Sequence, residues 1–192
     1  TAEGEPGDFG SLLRHLVDKV PGIGRIRYAS PHPRHADESL VAAHRDLEVL
    51  AKHVHLPVQS GSDRVLRRMI RRYTRDEYRR RVDNLRRVRP ELTLSTDVIV
   101  GFPGETDEDF ALTLDLVRDV GFVSLFGFKY SKRPNTPALR LLDEVPEEVK
   151  DARLAALFAT VENQQRRHLA SLVGSRCTVL FEGASRPSAS SL

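Results

Sequence analysis

The stretch that decides the fold is "HLPVQSGSDRVLRRMIRR", His55 to Arg72. Leu56, Pro57 and Val58 are apolar, Gln59-Ser60-Gly61-Ser62 are polar or flexible, and a very basic run follows. An apolar run that stops at small polar residues and restarts on a charged periodic segment reads as the end of a strand, a tight turn and the start of a helix. Pro57 cannot donate to a ladder, which favours an edge or strand-end position. In a parallel α/β protein, ligands sit beyond the C-terminal ends of the strands. Gln59 to Ser62 are therefore candidates to touch one.

The same alternation extends in both directions. Upstream, Asp8 can cap a helix carrying Phe9, Leu12, Leu13, Leu16 and Val17 at helical spacing, and "PGIG" (21–24) breaks it. "RIRYAS" (25–30) alternates like a strand, a helix is expected over about 37–52, and Val54 to Val58 form a second strand. Downstream come a short helix near 63–70 and a longer one over about 74–88, with Tyr78, Val82 and Leu85 facing a core. Leu92 to Gly101 read as a third strand. Thr106 with Asp109 makes a capping box for a helix that Gly121 ends. Phe122 to Tyr130 read as a fourth strand, and Pro146, Glu147 and Glu148 open a long helix towards Leu172. Arg176 to Gly183 read as one more strand. Strands alternating with crossover-length helices favour a parallel sheet, as a barrel or an open layer.

Composition narrows the class. Of 192 residues, 40% are hydrophobic and 30% charged, which describes a soluble globular chain. No apolar run approaches the ~20 residues of a membrane helix, and the opening "TAEGEPGDFG" lacks the basic and apolar regions of a signal peptide. A single cysteine, Cys177, excludes an intrachain disulfide and any Cys-only metal site built by this chain alone; it fits a reducing, cytoplasmic compartment. Between Asp63 and Arg89 stand twelve arginines and only four acids. That run is either a phosphate-facing surface or plain solvated charge, since arginine outnumbers lysine 25 to 5 along the whole chain.

Polar residues recur at four successive expected strand ends: Ser30-Pro31-His32, Gln59 to Ser62, Asp97 to Thr106, and Tyr130 to Arg133. "GFPGE" offers Gly101 and Gly104 as places where backbone can approach a ligand, but no Lys-Ser/Thr follows, so it is not a P-loop. His53 and His55 share a strand face, with no third metal ligand in view; packing or surface is the simpler reading. Asp97 lies inside an apolar strand, where an acid is costly unless paired. It either holds a neighbouring loop or accepts from ribose hydroxyls. Arg71 is either a surface cation or a fork for a carboxylate.

"HLPVQSGSDRVLRRM", "STDVIVGFPGETDEDF", "FKYSKRPNTPA" and "VPEEVK", in this order, resemble the radical S-adenosylmethionine (SAM) methylthiotransferases, and within them the tRNA-modifying branch. The resemblance covers nearly the whole chain. It implies a partial TIM-like radical SAM barrel of parallel strands with outer helices, followed by the first strand of a small β domain similar to TRAM, an RNA-binding module. On this reading residues 1–165 are the C-terminal portion of the barrel, including the start of the long helix, and 166–192 are the end of that helix and a truncated TRAM start.

The resemblance also implies chemistry. A reduced cluster cleaves SAM to a 5′-deoxyadenosyl radical, which takes hydrogen from C2 of N6-isopentenyladenosine in tRNA before a methylthio group is installed. Gln59 would lie near the SAM methionine moiety, Arg71 at its carboxylate and Asp97 at its ribose; Ser60 is a further cofactor-binding candidate, and His32 and Ser30 are lesser ones. The family's [4Fe-4S] cysteines, three in an N-terminal domain and a CxxxCxxC loop in the barrel, have no counterpart here, so no catalytic or metal residue is assigned. The chain is then expected to be a fragment missing its N-terminal portion, with tRNA as partner, no membrane, and no activity by itself. The alternatives are a methylthiotransferase acting on another tRNA adenosine (the threonylcarbamoyl type) or on a ribosomal protein, and a non-catalytic RNA-binding fragment.

Overall fold

The computed structural model describes residues 7–29, 32–134, 136–176 and 178. In chain order the elements are α1 (Phe9–Lys19), α2 (Glu38–Asp46), β1 (His53–His55), α3 (Asp63–Arg68), α4 (Arg75–Val88), β2 (Thr93–Val100), α5 (Asp107–Val120), β3 (Ser124–Lys129) and α6 (Glu147–Leu172). Short 3-10 turns lie at Pro33–His35 and Pro137–Arg140. The strands form one parallel sheet in the order β1-β2-β3. The α/β reading with parallel strands therefore holds. The strand expected at 176–183, with Cys177, falls almost wholly outside the described residues.

Local chemistry sets the boundaries. Asp8 caps α1 by accepting from the Ser11 N–H, and Thr74 and Thr106 each close a full capping box, with Glu77 and Asp109. Gly121 ends α5 in the left-handed conformation at φ 66°. Two expectations need correction. The helix placed over 37–52 stops at Asp46, because the chain turns at Glu48–Val49, with the Leu50 N–H bonded to the Leu47 carbonyl at 3.1 Å, and Leu50 pairs with Ile26. There Ile26 N–H donates to Val49 and Ala51 N–H donates to Ile26, while buried Arg89 donates to the carbonyls of Leu47 and Leu50. The strand expected at 25–30 shrinks to one parallel bridge, Ile26 with Leu50, alongside the lead-in to β1 rather than β1 itself.

The two faces of the sheet differ. Even-numbered β2 residues Leu94, Val98 and Val100 are fully buried beneath the helices, where they meet Tyr78, Val82 and Leu85 of α4 and Leu116 and Val117 of α5. The odd-numbered face carries Thr93, Ser95, Asp97 and Ile99, and through the register the side chains of His53, His55, Phe126 and Phe128. Phe126 and Phe128 remain about half exposed, at 55% and 52%. α6 packs across β3 and α5 and is anchored by buried Arg153, which binds Glu105 at 2.9 Å and Asp107 at 2.7 Å.

Candidate functional site

Pro57 shapes the end of β1. The pairing offset from β1 to β2 is set by His53 with Thr93, yet beyond Pro57 the chain re-pairs as Gln59 with Val98, one residue out of step. This is a bulge at a residue that has no N–H to give. The Thr96 hydroxyl covers the gap, donating to the Leu56 carbonyl (2.8 Å) and accepting from the Val58 N–H (2.9 Å). Tyr78 and Tyr73 donate to the carbonyls of Leu56 (2.8 Å) and Val58 (3.0 Å), and burial pushes the Tyr73 hydroxyl up to about 12. Gln59 then sits at φ 69°, locked by hydrogen bonds to Asp97 O and from Ile99 N. A left-handed non-glycine residue costs roughly 1–2 kcal/mol, so the surrounding bonds hold Gln59 in a strained position.

Arg71 is placed by a second left-handed residue. At the end of α3, Ile70 N–H bonds Arg67 O and Arg71 N–H bonds Leu66 O, the paired bonds of a Schellman motif. Ile70 (φ 58°) occupies the place usually given to glycine. The turn delivers Arg71 beside Gln59 and Asp97 at the rim of a cleft of about 650 Å³. Much of the remaining lining is apolar, from Ile99, Phe102, Phe128, Pro137, Ala138 and Leu141. Phe102 packs edge-on against Tyr130, with ring centroids 5.0 Å apart. Arg71 Nε and the Tyr130 hydroxyl are buried without a hydrogen-bond partner among the described residues, a costly state in the absence of a ligand.

Of the sequence candidates, Gln59, Arg71 and Asp97 thus line one cleft although they are far apart in the chain. Asp97 does not tie down a loop; its Oδ1 lies 3.3 Å from His55 Nε2. Ser60 does not line the cleft. It is fully buried, its hydroxyl 3.3 Å from Thr113 Oγ1 and accepting from the Ser62 N–H. His32 does not line the cleft; it packs edge-on to Tyr73 with ring centroids 5.5 Å apart, and burial and then the charge of Arg71 lower its pKa. Ser30 lies outside the described residues.

The "GFPGE" turn also needs correcting. A side chain on Gly104 would strike Asp143 and Arg68, and one on Gly101 would strike Lys150, so these glycines make room for protein rather than ligand. Glu105 of the same turn binds Gly101 N–H and Arg153 and is structural. Phe102, Phe128 and the 137–141 segment were not singled out in the sequence. Only for Phe128 was a signal present, the strand alternation that puts it on the face of Asp97.

A family model described as the Radical SAM superfamily matches residues 4–117. The chain belongs to the radical SAM superfamily. It is 62% identical over 179 residues to a tRNA-2-methylthio-N(6)-dimethylallyladenosine synthase of Sorangium cellulosum, covering 93% of this chain and 36% of the relative. It is 50% identical over 186 residues to a protein of the same name from Acidithiobacillus ferrooxidans, covering 97% of this chain and 41% of the relative. The chain thus spans about two fifths of the length of these curated relatives. Its fold matches a solved structure of coproporphyrinogen III oxidase (HemN) from Escherichia coli, a radical SAM enzyme, with a TM-score of 0.64 and 20% identity, covering 80% of this chain and 36% of that one.

The cleft suits the superfamily's cofactor. SAM carries a carboxylate, ribose hydroxyls and an aromatic base, and the lining offers a guanidinium, a carboxylate and apolar side chains of matching chemistry. The iron–sulfur cluster does not fit this chain. Such a cluster takes three or four thiolates, the chain has one cysteine, and no group of three or more metal-binding side chains occurs among the described residues.

Proposed function

We propose that this chain supplies the SAM-binding part of a tRNA methylthiotransferase that adds a methylthio group to C2 of N6-dimethylallyl (isopentenyl) adenosine. The observation that carries the reading is the convergence of Gln59, Arg71 and Asp97 on one cleft in a chain 62% identical to a protein of that name. Bound SAM and a reduced iron–sulfur cluster supply the radical chemistry at C2–H, with the cluster held by residues outside this chain. This chain's residues bind and orient. Arg71 would hold the carboxylate, where a guanidinium suits it better than lysine would, Gln59 would meet the methionine portion, and Asp97 would take the ribose hydroxyls. The apolar lining excludes water. A cytoplasmic location follows from the tRNA substrate; among the described residues no helix is long and apolar enough to cross a membrane.

The test uses the full-length protein that carries this chain, reconstituted anaerobically and given SAM, reductant, a sulfur source and tRNA. Nucleoside mass spectrometry should show methylthio gain on tRNA bearing N6-dimethylallyladenosine and none on tRNA bearing plain or threonylcarbamoyl adenosine. Gain only on the threonylcarbamoyl substrate, or only on a ribosomal protein, would replace this reading.

A further inference from the structure

A line of side-chain hydrogen bonds runs up the odd-numbered face of the sheet from Thr93 to His55, and His55 in turn stands against Asp97 at ion-pair distance. His53 Nδ1 lies 2.9 Å from Thr93 Oγ1, and its Nε2 lies 2.9 Å from Ser95 Oγ. His55 Nδ1 is 2.9 Å from that same Ser95 oxygen, and its Nε2 is 3.3 Å from Asp97 Oδ1. The register builds the line: His53 pairs with Thr93 and His55 with Ser95, so each imidazole stands beside a hydroxyl on the same face.

Charge sets the direction of each contact. An ionised carboxylate holds no hydrogen, and a bare imidazole nitrogen 3.3 Å from it would set two acceptors against each other. A neutral His55 therefore carries its hydrogen on Nε2, facing Asp97. His55 Nδ1 is then bare and accepts from Ser95. Ser95 accepts from His53 Nε2–H, and His53 Nδ1 accepts from Thr93. The Thr93 hydroxyl is also placed 3.0 Å from the Lys52 carbonyl, but that carbonyl already accepts from the Thr93 N–H at 3.0 Å. Turning the hydroxyl to His53 leaves nothing unpaired. Burial and then the charge of Arg27 lower the His53 pKa, which favours the neutral ring that this arrangement needs.

We propose that His55 is a positioning residue for Asp97. It fixes one carboxylate oxygen in place, and Thr93, His53 and Ser95 act by holding His55 in the single tautomer that can donate. Asp97 Oδ2 has no side-chain partner among the described residues and is left to accept from a vicinal diol, such as the 2′- and 3′-hydroxyls of a nucleoside. The inference rests on the reading of the cleft as a SAM site with Asp97 at the ribose. It adds that ribose recognition depends on an imidazole relay which does not itself touch the ligand.

The test is calorimetric binding to the full-length reconstituted protein of two ligands, SAM and a SAM analogue lacking both ribose hydroxyls. Asp97→Ala and His55→Phe should each weaken SAM about tenfold, the scale of one hydrogen bond to a charged group. Neither should change affinity for the dideoxy analogue. His55→Gln, which keeps an N–H near the Nε2 position, should retain most of the SAM affinity. Ser95→Ala should lose roughly threefold, because the tautomer is no longer held. If Asp97→Ala weakens SAM selectively and His55→Phe does not, the positioning role is wrong while the SAM reading stands. Equal loss for both ligands in His55→Phe, with no rescue by glutamine, would show a merely structural histidine. No effect of Asp97→Ala would bring down the ribose reading and this proposal together.

Discussion

Arg71 enters the cleft because Ile70, a β-branched residue, accepts a backbone conformation that normally belongs to glycine. Its guanidinium then carries a buried Nε with no partner among the described residues. We expect Arg71→Ala to weaken SAM binding by roughly 1.5–3 kcal/mol, with Arg71→Lys recovering only part of the loss. Calorimetry on the reconstituted full-length protein measures this, and unchanged affinity would reduce Arg71 to a surface cation. Gln59 poses the complementary case. Gln59→Gly removes the left-handed strain but also the amide, so stability should hold while SAM affinity falls. Gln59→Val keeps the strain and adds branching, and should lower stability by about 1 kcal/mol or more. A destabilised glycine variant would mean that the side chain, not the backbone, secures this turn. Gln59 and Asp97 stand out in the sequence as polar residues at successive strand ends, whereas Arg71, which follows α3, is placed at the site only by the family resemblance. Ser60 was misread because residue type marks it as polar but does not say which way the chain turns it. In the structure it faces Thr113 rather than the cleft.

The Gln-Ser-Gly-Ser turn meets α5 in a tight backbone contact. A Cβ on Gly61 would lie 2.5 Å from the Leu112 carbonyl oxygen and 2.5 Å from the Thr113 Cα, both backbone atoms that no rotamer change can move. The Gly61 N–H also donates to Thr113 Oγ1 at 2.9 Å. Gly61→Ala should therefore push the turn off α5 at a cost of roughly 1–3 kcal/mol, seen as a lowered Tm; an unchanged Tm would show that α5 gives way freely. Asp109 clamps the same junction from the other side. Burial alone would raise its carboxyl, but bonds from Arg64, Ser62 (2.5 Å) and Thr106 outweigh burial and hold it well below its ordinary value of 3.8. Because the folded pKa is the lower one, this stabilisation is whole above pH 3.8 and is lost as pH falls below it. Asp109→Ala should cost about 2 kcal/mol at neutral pH, the scale of a lost cap with its hydrogen bonds. It should also flatten the acid limb of a stability-against-pH curve, and an acid limb as steep as the parent's would place the titrating group elsewhere. The capping box at Thr106 was visible in the sequence because it is local. The bond from Ser62 to Asp109 spans 47 residues and was not, since no spacing rule links a turn to a helix with α3, α4 and β2 in between.

At the scale of the whole molecule, the sheet has a finished face and an unfinished one. The helical side is closed over fully buried Leu94, Val98 and Val100, whereas Phe126 and Phe128 stay about half exposed on the side of the cleft. The alternating pattern made the sheet and its helices readable. It could not show that the 25–30 segment contributes a single bridge, because pairing depends on a neighbour's backbone and not on the segment's own side chains. The same unfinished side bears on catalysis. The radical step needs a cluster held by three or four thiolates, and the chain has one cysteine, Cys177. The histidines do not substitute for it: His53 and His55 are engaged with Thr93, Ser95 and Asp97, and no set of three metal-binding side chains occurs among the described residues. We therefore expect the 192-residue chain by itself to be catalytically inert. After purification and anaerobic treatment with iron and sulfide, its iron content should stay below one cluster per chain and 5′-deoxyadenosine release from SAM should stay at background. A stoichiometric cluster, or SAM cleavage above background, would mean that this chain carries more of the active centre than its cleft alone.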